Sequence, residues 1–89
     1  MAFKSQDLSV IAYANGFTLW HYTTSDPATE VDTTGYFNDA ATMLRVGDMI
    51  LANTDTDGGL SSGILHISSN DDGTVDVDDM TGVGTGDTD

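Results

Sequence analysis

Two apolar runs joined by Asn15-Gly16 constrain this chain more than any other feature of its sequence. The runs occupy residues 8–14 and 17–23, and each is long enough to form a β-strand. Asn-Gly favours the two-residue turn of a hairpin because both residues tolerate positive φ. The sequence therefore predicts an antiparallel strand pair with Asn15 and Gly16 in the left-handed region.

The second predicted strand carries large apolar side chains on both of its faces. Alternation along an extended strand places every second residue on the same side. One face takes Phe17, Leu19 and His21, and the other takes Thr18, Trp20 and Tyr22. Because both faces are apolar, we expect neither to be simply exposed to water.

The remaining sequence predicts three more strands, a loop and one short helix. Strands are predicted at residues 49–53, 62–68 and 74–80, with turns at 54–59 and 70–73. Residues 25–34 are polar and predict a loop. Asn38 is the predicted N-cap of one or two helical turns over residues 40–44, with Arg45 in the last turn.

Ten glycines and a single proline fit a chain with many tight turns. We expect an all-β, mainly antiparallel fold, a small barrel or sandwich of about five strands with one short helix. A single β domain over residues 8–81 is predicted, preceded by an N-terminal arm (1–7) and followed by a C-terminal tail (82–89). With only 89 residues, its core is thin.

Charge excludes several classes of partner. Fifteen acidic residues stand against two basic ones, Lys4 and Arg45, for a net charge of -13. Nucleic acids and anionic membranes are bound by clusters of Lys and Arg, which this sequence lacks, so we expect neither as a partner. There is no cysteine, and no apolar run approaches the length of a membrane span. Most of the acids are interpreted as solvated surface.

One segment resembles the start of a calcium-binding loop. Asn53, Asp55 and Asp57 alternate, and Gly58 follows at the sixth position. The twelfth position is Ile64 instead of the bidentate glutamate, and a tight turn between strands would use the same residues. These three are weak metal candidates, and we predict no metal and no cofactor. Asp76, Asp78 and Asp79 are interpreted as a charged edge strand.

Catalytic constellations are not evident in the sequence. His21 and His66 are the only imidazoles, and no nucleophile elbow or phosphate-binding loop accompanies them. Both histidines are interpreted as packed or interfacial side chains. The chain is therefore predicted not to be an enzyme.

Aromatic side chains are the remaining candidates for a functional surface. Aromatic rings are enriched at protein interfaces, and they also build cores, so both interpretations stay open. Six rings are the interface candidates: Phe3, Phe17, Trp20, Tyr22, Tyr36 and Phe37.

Three blocks of the sequence, residues 15–22, 35–38 and 43–50, resemble a pattern found in small virion proteins of tailed bacteriophages and related gene transfer agents. The similarity covers about residues 8–80, and it points to the capsid-associated class of decoration (cement) proteins and head-fibre base modules. This resemblance implies a non-enzymatic structural protein on the exterior of the virion. Its implied partner is the major capsid protein.

The charge and size of the chain agree with that class. An acidic chain avoids the packaged DNA and is attracted to basic patches on a shell. A thin core gains stability by association, and closed symmetric oligomers are common, so we expect a homotrimer. We expect the acidic surface and the two termini to make the contacts with the shell.

Two alternative functions remain at the level of sequence. The first is a receptor- or glycan-binding module of a head fibre or tail, which would use exposed rings of Trp20, Tyr22 or Tyr36. The second is a calcium-binding β module built on the loop that contains Asp55.

Overall fold

Six strands form one mixed sheet in the computed structural model, which describes residues 3–83. The all-β prediction is confirmed, and the sheet is not closed into a barrel. The strands are β1 (Leu8–Ala14), β2 (Phe17–Thr23), β3 (Met49–Thr54), β4 (Ser61–Asp71), β5 (Thr74–Val77) and β6 (Thr81–Gly82).

The strands follow the order β1-β2-β3-β4-β5, and β6 pairs with β4. All pairings are antiparallel except that of β2 with β3. The predicted hairpin turn is confirmed, because Asn15 and Gly16 have φ values of 55° and 77°. Asp72 and Gly73, at 54° and 85°, make the same kind of turn between β4 and β5.

The parallel pairing requires a crossover, and residues 24–48 supply it across one face of the sheet. The crossover contains a one-turn helix, α1 (Ala28–Val31), and a 3-10 turn, Asn38–Ala40. The predicted position of the short helix is wrong. The segment 25–34, predicted as a loop, contains α1. Residues 40–44, predicted as helical, continue from the 3-10 turn without forming an α-helix.

Side chains of the sheet and of the crossover join the two by hydrogen bonds near residues 38–44. The Asn70 side-chain amide donates to the carbonyl oxygens of Ala41 and Leu44, which are among the last carbonyls of this turn and would have no partner within it. Asn38 does not cap a helix; its side-chain oxygen accepts from the Val75 N–H at 2.8 Å. The crossover is thus anchored to β4 and β5 in addition to its own turn hydrogen bonds.

The core lies between the sheet and the crossover, on what we call the covered face. Its sheet residues alternate with half-buried or exposed ones. The fully or almost fully buried apolar residues are Trp20, Tyr22, Val31, Phe37, Ala40, Leu44, Ile50, Ala52, Leu65, Ile67, Val75 and Val77.

Segments near both ends of the described residues also contact this domain. Residues Ser5–Asp7 form a 3-10 turn, and Phe3 packs against the core. Residues 80–81 cross close over Gly63, where a Cβ would lie 2.5 Å from both Met80 Cγ and the Thr81 carbonyl oxygen. Residues 84–89 of the predicted tail lie outside the described residues. No helix within residues 3–83 is long and apolar enough to cross a membrane.

Candidate docking face

The second face of the sheet, which we call the outer face, has no layer over it in the described structure. Strand pairing places Leu19 beside Met49 and Met49 beside His66. A second row places His21 beside Leu51 and Leu51 beside Ile64. Paired residues share a face, so these six side chains form one contiguous, largely apolar surface across β2, β3 and β4.

The outer face is uncharged over most of its width. Strands β1, β2 and β3 contain no Asp, Glu, Lys or Arg, and in β4 only the last residue, Asp71, is charged. The acids appear at the β5 side. There, Asp78 Oδ2 lies within hydrogen-bond distance of His66 Nδ1, at 3.0 Å. The acids nearest to the outer face thus lie at its margin.

A shallow depression of about 180 Å³ lies on the outer face. Its lining includes His21, Leu51, Asn53, Ser62 and Val83. Pockets that enclose small ligands typically have about 300–1,000 Å³, so this depression is small for such a ligand.

The covered face, by contrast, holds a buried carboxylate. Asp48 is 1% exposed and accepts three hydrogen bonds: from the Thr18 N–H at 3.1 Å, the Trp20 indole N–H at 3.3 Å and the Arg45 N–H at 3.1 Å. A buried charge requires such donors to offset its lost hydration. Asp48 therefore fastens the start of β3 to β2, at the only parallel pairing described in residues 3–83.

A second buried carboxylate ends a chain of hydroxyl groups. The Tyr36 hydroxyl donates to Asp26 Oδ2 at 2.6 Å, and Tyr22 and Tyr36 hydroxyl oxygens are 2.9 Å apart. The Lys4 N–H donates to the Tyr22 hydroxyl oxygen at 3.2 Å. Since Tyr36 gives its proton to Asp26, Tyr22 must donate to Tyr36. Burial, reinforced by the bond to Asp26, raises the pKa of Tyr36 above its ordinary value.

Most of the predicted interface rings belong to the core. Phe3, Tyr22, Tyr36 and Phe37 form one cluster with centroid separations from 5.0 Å to 6.2 Å. Tyr22 and Phe37 are at most 1% exposed and Trp20 is 7% exposed, so these rings present no surface to a partner. Trp20 and Tyr22 pack inward because alternation in β2 puts them on the face that the crossover covers, and Phe37 belongs to the crossover itself.

Two corrections follow from these positions. Phe3, expected in a docking arm, stacks on Tyr22 of its own domain at 5.4 Å. The glycan-binding alternative loses its platforms, because Trp20 and Tyr22 are buried and Tyr36 is engaged in the cluster. Of the six candidates, Phe17 has an exposed ring, on the outer face at the start of β2.

Two of the three calcium candidates, Asn53 and Asp55, hydrogen-bond to other parts of the protein. Asn53 lies at the end of the outer face, where its side-chain oxygen accepts from the Ser62 hydroxyl at 2.6 Å. Asp55 adopts positive φ in the turn after β3, and its N–H donates to the Asp26 carbonyl. Among residues 3–83, no three His, Asp or Glu side chains group as metal ligands would.

A wider groove of about 460 Å³ runs beside the N-terminal segment. Its lining consists of Phe3, Lys4, Ser5, Gln6 and Asp39. This lining brings together one cation, one carboxylate, one hydroxyl group and one amide.

The residues that sequence reasoning missed are Met49, Leu51 and Ile64. They look like ordinary strand residues, and the structure shows them on the uncovered side of the sheet. The relevant signal was already present in β2, whose two faces are both apolar. Extending that pattern to β3 and β4 would have located the outer face.

Comparisons of the chain with models of protein families, with curated proteins and with solved structures find no match.

Proposed function

We propose that this chain is a non-enzymatic structural protein that docks through its outer face on a larger assembly, the exterior of a phage capsid. The observation that carries the proposal is the uncovered apolar surface formed by Leu19, Met49, Leu51 and Ile64. Contiguous apolar patches on a soluble domain mark interaction sites. The sequence resemblance to capsid-associated proteins supplies the identity of the partner.

Charge distribution supports a partner with basic groups around an apolar patch. The outer face carries Asp76 and Asp78 at its β5 side, and Asp55 and Asp57 follow β3 at its end. Acidic groups at the rim of an interface steer a basic partner and fix its orientation, while the uncharged centre loses little hydration on contact. A capsid shell with basic patches meets both conditions.

The aromatic residues of β2 contribute to docking indirectly. Trp20 and Tyr22 fix β2 from the covered side, so Leu19 and His21 stand on a rigid strand. A preorganised surface binds with less loss of conformational freedom than a mobile loop. The docking residues therefore lie on strands, and the sequence-based expectation of docking by the termini is replaced by docking through the sheet.

The first test is whether the chain accompanies intact particles. Particles from a culture of the source organism would be banded on a density gradient, and the chain detected in the particle fraction by mass spectrometry. We expect it in that fraction, with density on the outer surface of the shell in particle images. Its consistent absence from particles, with the chain present in free protein fractions, would overturn the capsid assignment.

The second test concerns the docking face itself. Leu51→Glu places a charge at the centre of the outer face, on a residue that is 36% exposed, and should abolish binding to particles stripped of the native protein. The matched control is Leu60→Glu, which is 63% exposed in the turn after β3. Equal binding by the two variants, with unchanged circular dichroism, would show that the outer face is not the docking face.

A further inference from the structure

We propose that the turn between β1 and β2 is a site of spontaneous covalent modification, at which attack by the Gly16 backbone nitrogen converts the side-chain amide of Asn15 to a carboxylate. The reaction uses hydroxide and water from the solvent and needs no enzyme. It takes place at the tip of the hairpin and does not depend on docking through the outer face.

The reaction is an intramolecular ring closure followed by hydrolysis. The Gly16 nitrogen, after its proton passes to hydroxide, attacks Asn15 Cγ. The new C–N bond closes a five-membered succinimide ring, and the bond from Cγ to Nδ2 breaks to release ammonia. Water then opens the ring at either carbonyl. Opening at Cγ leaves aspartate at position 15, opening at the backbone carbonyl leaves isoaspartate, and in both cases one water is consumed for each ammonia released.

Both reacting groups are accessible at the tip of the hairpin. Asn15 and Gly16 are exposed, and nothing lies within 4 Å of the position that a Cβ on Gly16 would occupy. Because glycine has no side chain beside its backbone nitrogen, the attack on the neighbouring amide meets no steric obstacle from residue 16.

A change of turn type brings the two groups together. In type I′ turns the first central residue has ψ of about +30°, which keeps the next nitrogen away from its side chain, whereas ψ of about −120° in type II′ turns places that nitrogen beside the Cβ, as ring closure requires. Both turn types need positive φ at this position, and Asn15 already has a φ of 55°. Flipping the peptide plane between Asn15 and Gly16 therefore reaches the reactive geometry while the strands stay paired, since glycine tolerates either sign of φ.

The other three asparagines of the chain have side chains that are held by distant segments. The side-chain oxygen of Asn38 accepts from a backbone N–H of β5, and that of Asn53 accepts from a hydroxyl group of β4. The Asn70 amide donates to two carbonyl oxygens of the crossover. Ring closure at these residues would break those bonds. Within residues 3–83, the Asn15 side chain makes no hydrogen bond, so the fold leaves it free to react.

The modification changes the surroundings of Arg45, one of the two basic residues of the chain. The Arg45 guanidinium donates to the Gly16 carbonyl oxygen at 3.1 Å and lies 5.5 Å over the Tyr13 ring. An aspartate at position 15 adds a negative charge next to this contact and attracts the guanidinium. Isoaspartate instead inserts one more backbone atom into a two-residue turn, so it should weaken the pairing of Ala14 with Phe17.

The test incubates the folded chain at mildly alkaline pH and follows each asparagine by peptide mapping with mass spectrometry. Chromatography separates the aspartate and isoaspartate forms of each peptide. We expect progressive loss of the Asn15 amide with both products, whereas Asn38, Asn53 and Asn70 keep their amides. Because each event adds one negative charge, the modified chain should also elute later from an anion-exchange column.

Asp71→Gly supplies a matched control, because it places a glycine directly after Asn70 while the Asn70 amide stays bonded to the crossover. In the folded variant, checked by circular dichroism, we expect Asn15 to react and Asn70 to remain intact. In guanidinium chloride both should react at similar rates. If this variant does not fold, the comparison of folded and unfolded native chain decides the question.

Two results would overturn the proposal. One is an Asn15 amide that persists in the folded native chain while the unfolded chain loses it. The other is equal loss at Asn15 and Asn70 in the folded Asp71→Gly variant, because the fold would then not select the site.

Discussion

Neighbouring residues of β3 show how differently the two faces of the sheet are used. Ile50 is fully buried on the covered face, whereas Leu51, the next residue, is 36% exposed on the outer face. The covered face encloses an aromatic cluster and two carboxylates whose donors come from three separate segments. The outer face has apolar side chains without a covering layer. The contrast teaches that the covered face supplies most of the stability of this small domain, whereas the side chains of the outer face remain accessible.

The largest expected change in the free energy of unfolding comes from truncating a leucine on the covered face, compared with a leucine on the outer face. Leu65→Ala removes a fully buried side chain and should lower the free energy of unfolding by about 3 kcal/mol, because a cavity forms under the crossover. Leu51→Ala should cost less than about 1 kcal/mol, since water already reaches it. Urea denaturation measures both values. Similar losses in the two variants would show that the outer face is packed as tightly as the core.

A somewhat smaller effect is expected when the charge of the covered face is removed. Asp48→Asn replaces an acceptor oxygen by an NH₂ group facing N–H donors, so buried donors lose their partner. We expect a loss of about 2–3 kcal/mol. Asp79→Asn, at an exposed position, is the control and should change stability by less than about 0.5 kcal/mol. If thermal or urea unfolding shows the same loss of stability for the two variants, Asp48 does not stabilise the β2–β3 pairing.

Alkaline pH tests the buried Tyr36–Asp26 hydrogen bond in the native chain, without a substitution that would leave a cavity. The pKa of Tyr36 is raised by burial and by its bond to Asp26, so the folded state holds this proton more tightly than the unfolded chain does. The resulting stability is fully present below the unfolded pKa of about 10, and it declines as pH rises beyond that value. Melting temperatures measured from pH 8 to 11.5 should fall above about pH 10.

The matched variants identify the source of that decline. Tyr36→Phe should lower stability by about 1 kcal/mol at neutral pH, because Asp26 loses a donor, and should flatten the alkaline fall. Tyr13→Phe removes the hydroxyl of a 63% exposed ring and should retain the alkaline fall of the native chain. A profile for Tyr36→Phe that falls as steeply as the native one would assign the decline to other groups.

The smallest expected change is on the outer face. Leu19→Thr combined with Leu51→Thr keeps residues that suit strands and should alter the free energy of unfolding by no more than about 1 kcal/mol. The same pair of changes should reduce binding of an apolar fluorescent dye to the native state. A large loss of stability would mean that these leucines stabilise the fold and are not available to bind a partner.

Local features of the fold could be predicted from sequence, and contacts between distant segments could not. Asn15-Gly16 specifies its own turn, because the required φ values depend on two residues alone. The position of α1 was missed, since four residues are too few to show a helical period. The burial of Asp26 and Asp48 was also missed: a carboxylate becomes a core group only through donors from other segments, here Tyr36, Thr18 and Trp20.

The outer face was only half predictable for the same reason. The two apolar faces of β2 are visible in the sequence, but which of them becomes covered depends on the path of the crossover. That path places Trp20 and Tyr22 inside and leaves Leu19 outside. The aromatic rings therefore became core, although aromatic composition alone fits an interface equally well.

The parallel pairing of β2 with β3 also has a consequence for the order of folding events. The β1–β2 and β4–β5 hairpins close over short loops and can form early, whereas the bond from the Thr18 N–H to Asp48 joins residues thirty positions apart. Closing that long loop costs chain entropy before any contact compensates for it. We therefore expect closure of the seam between β2 and β3 to be part of the main kinetic barrier, so that weakening Asp48 slows refolding as well as accelerating unfolding.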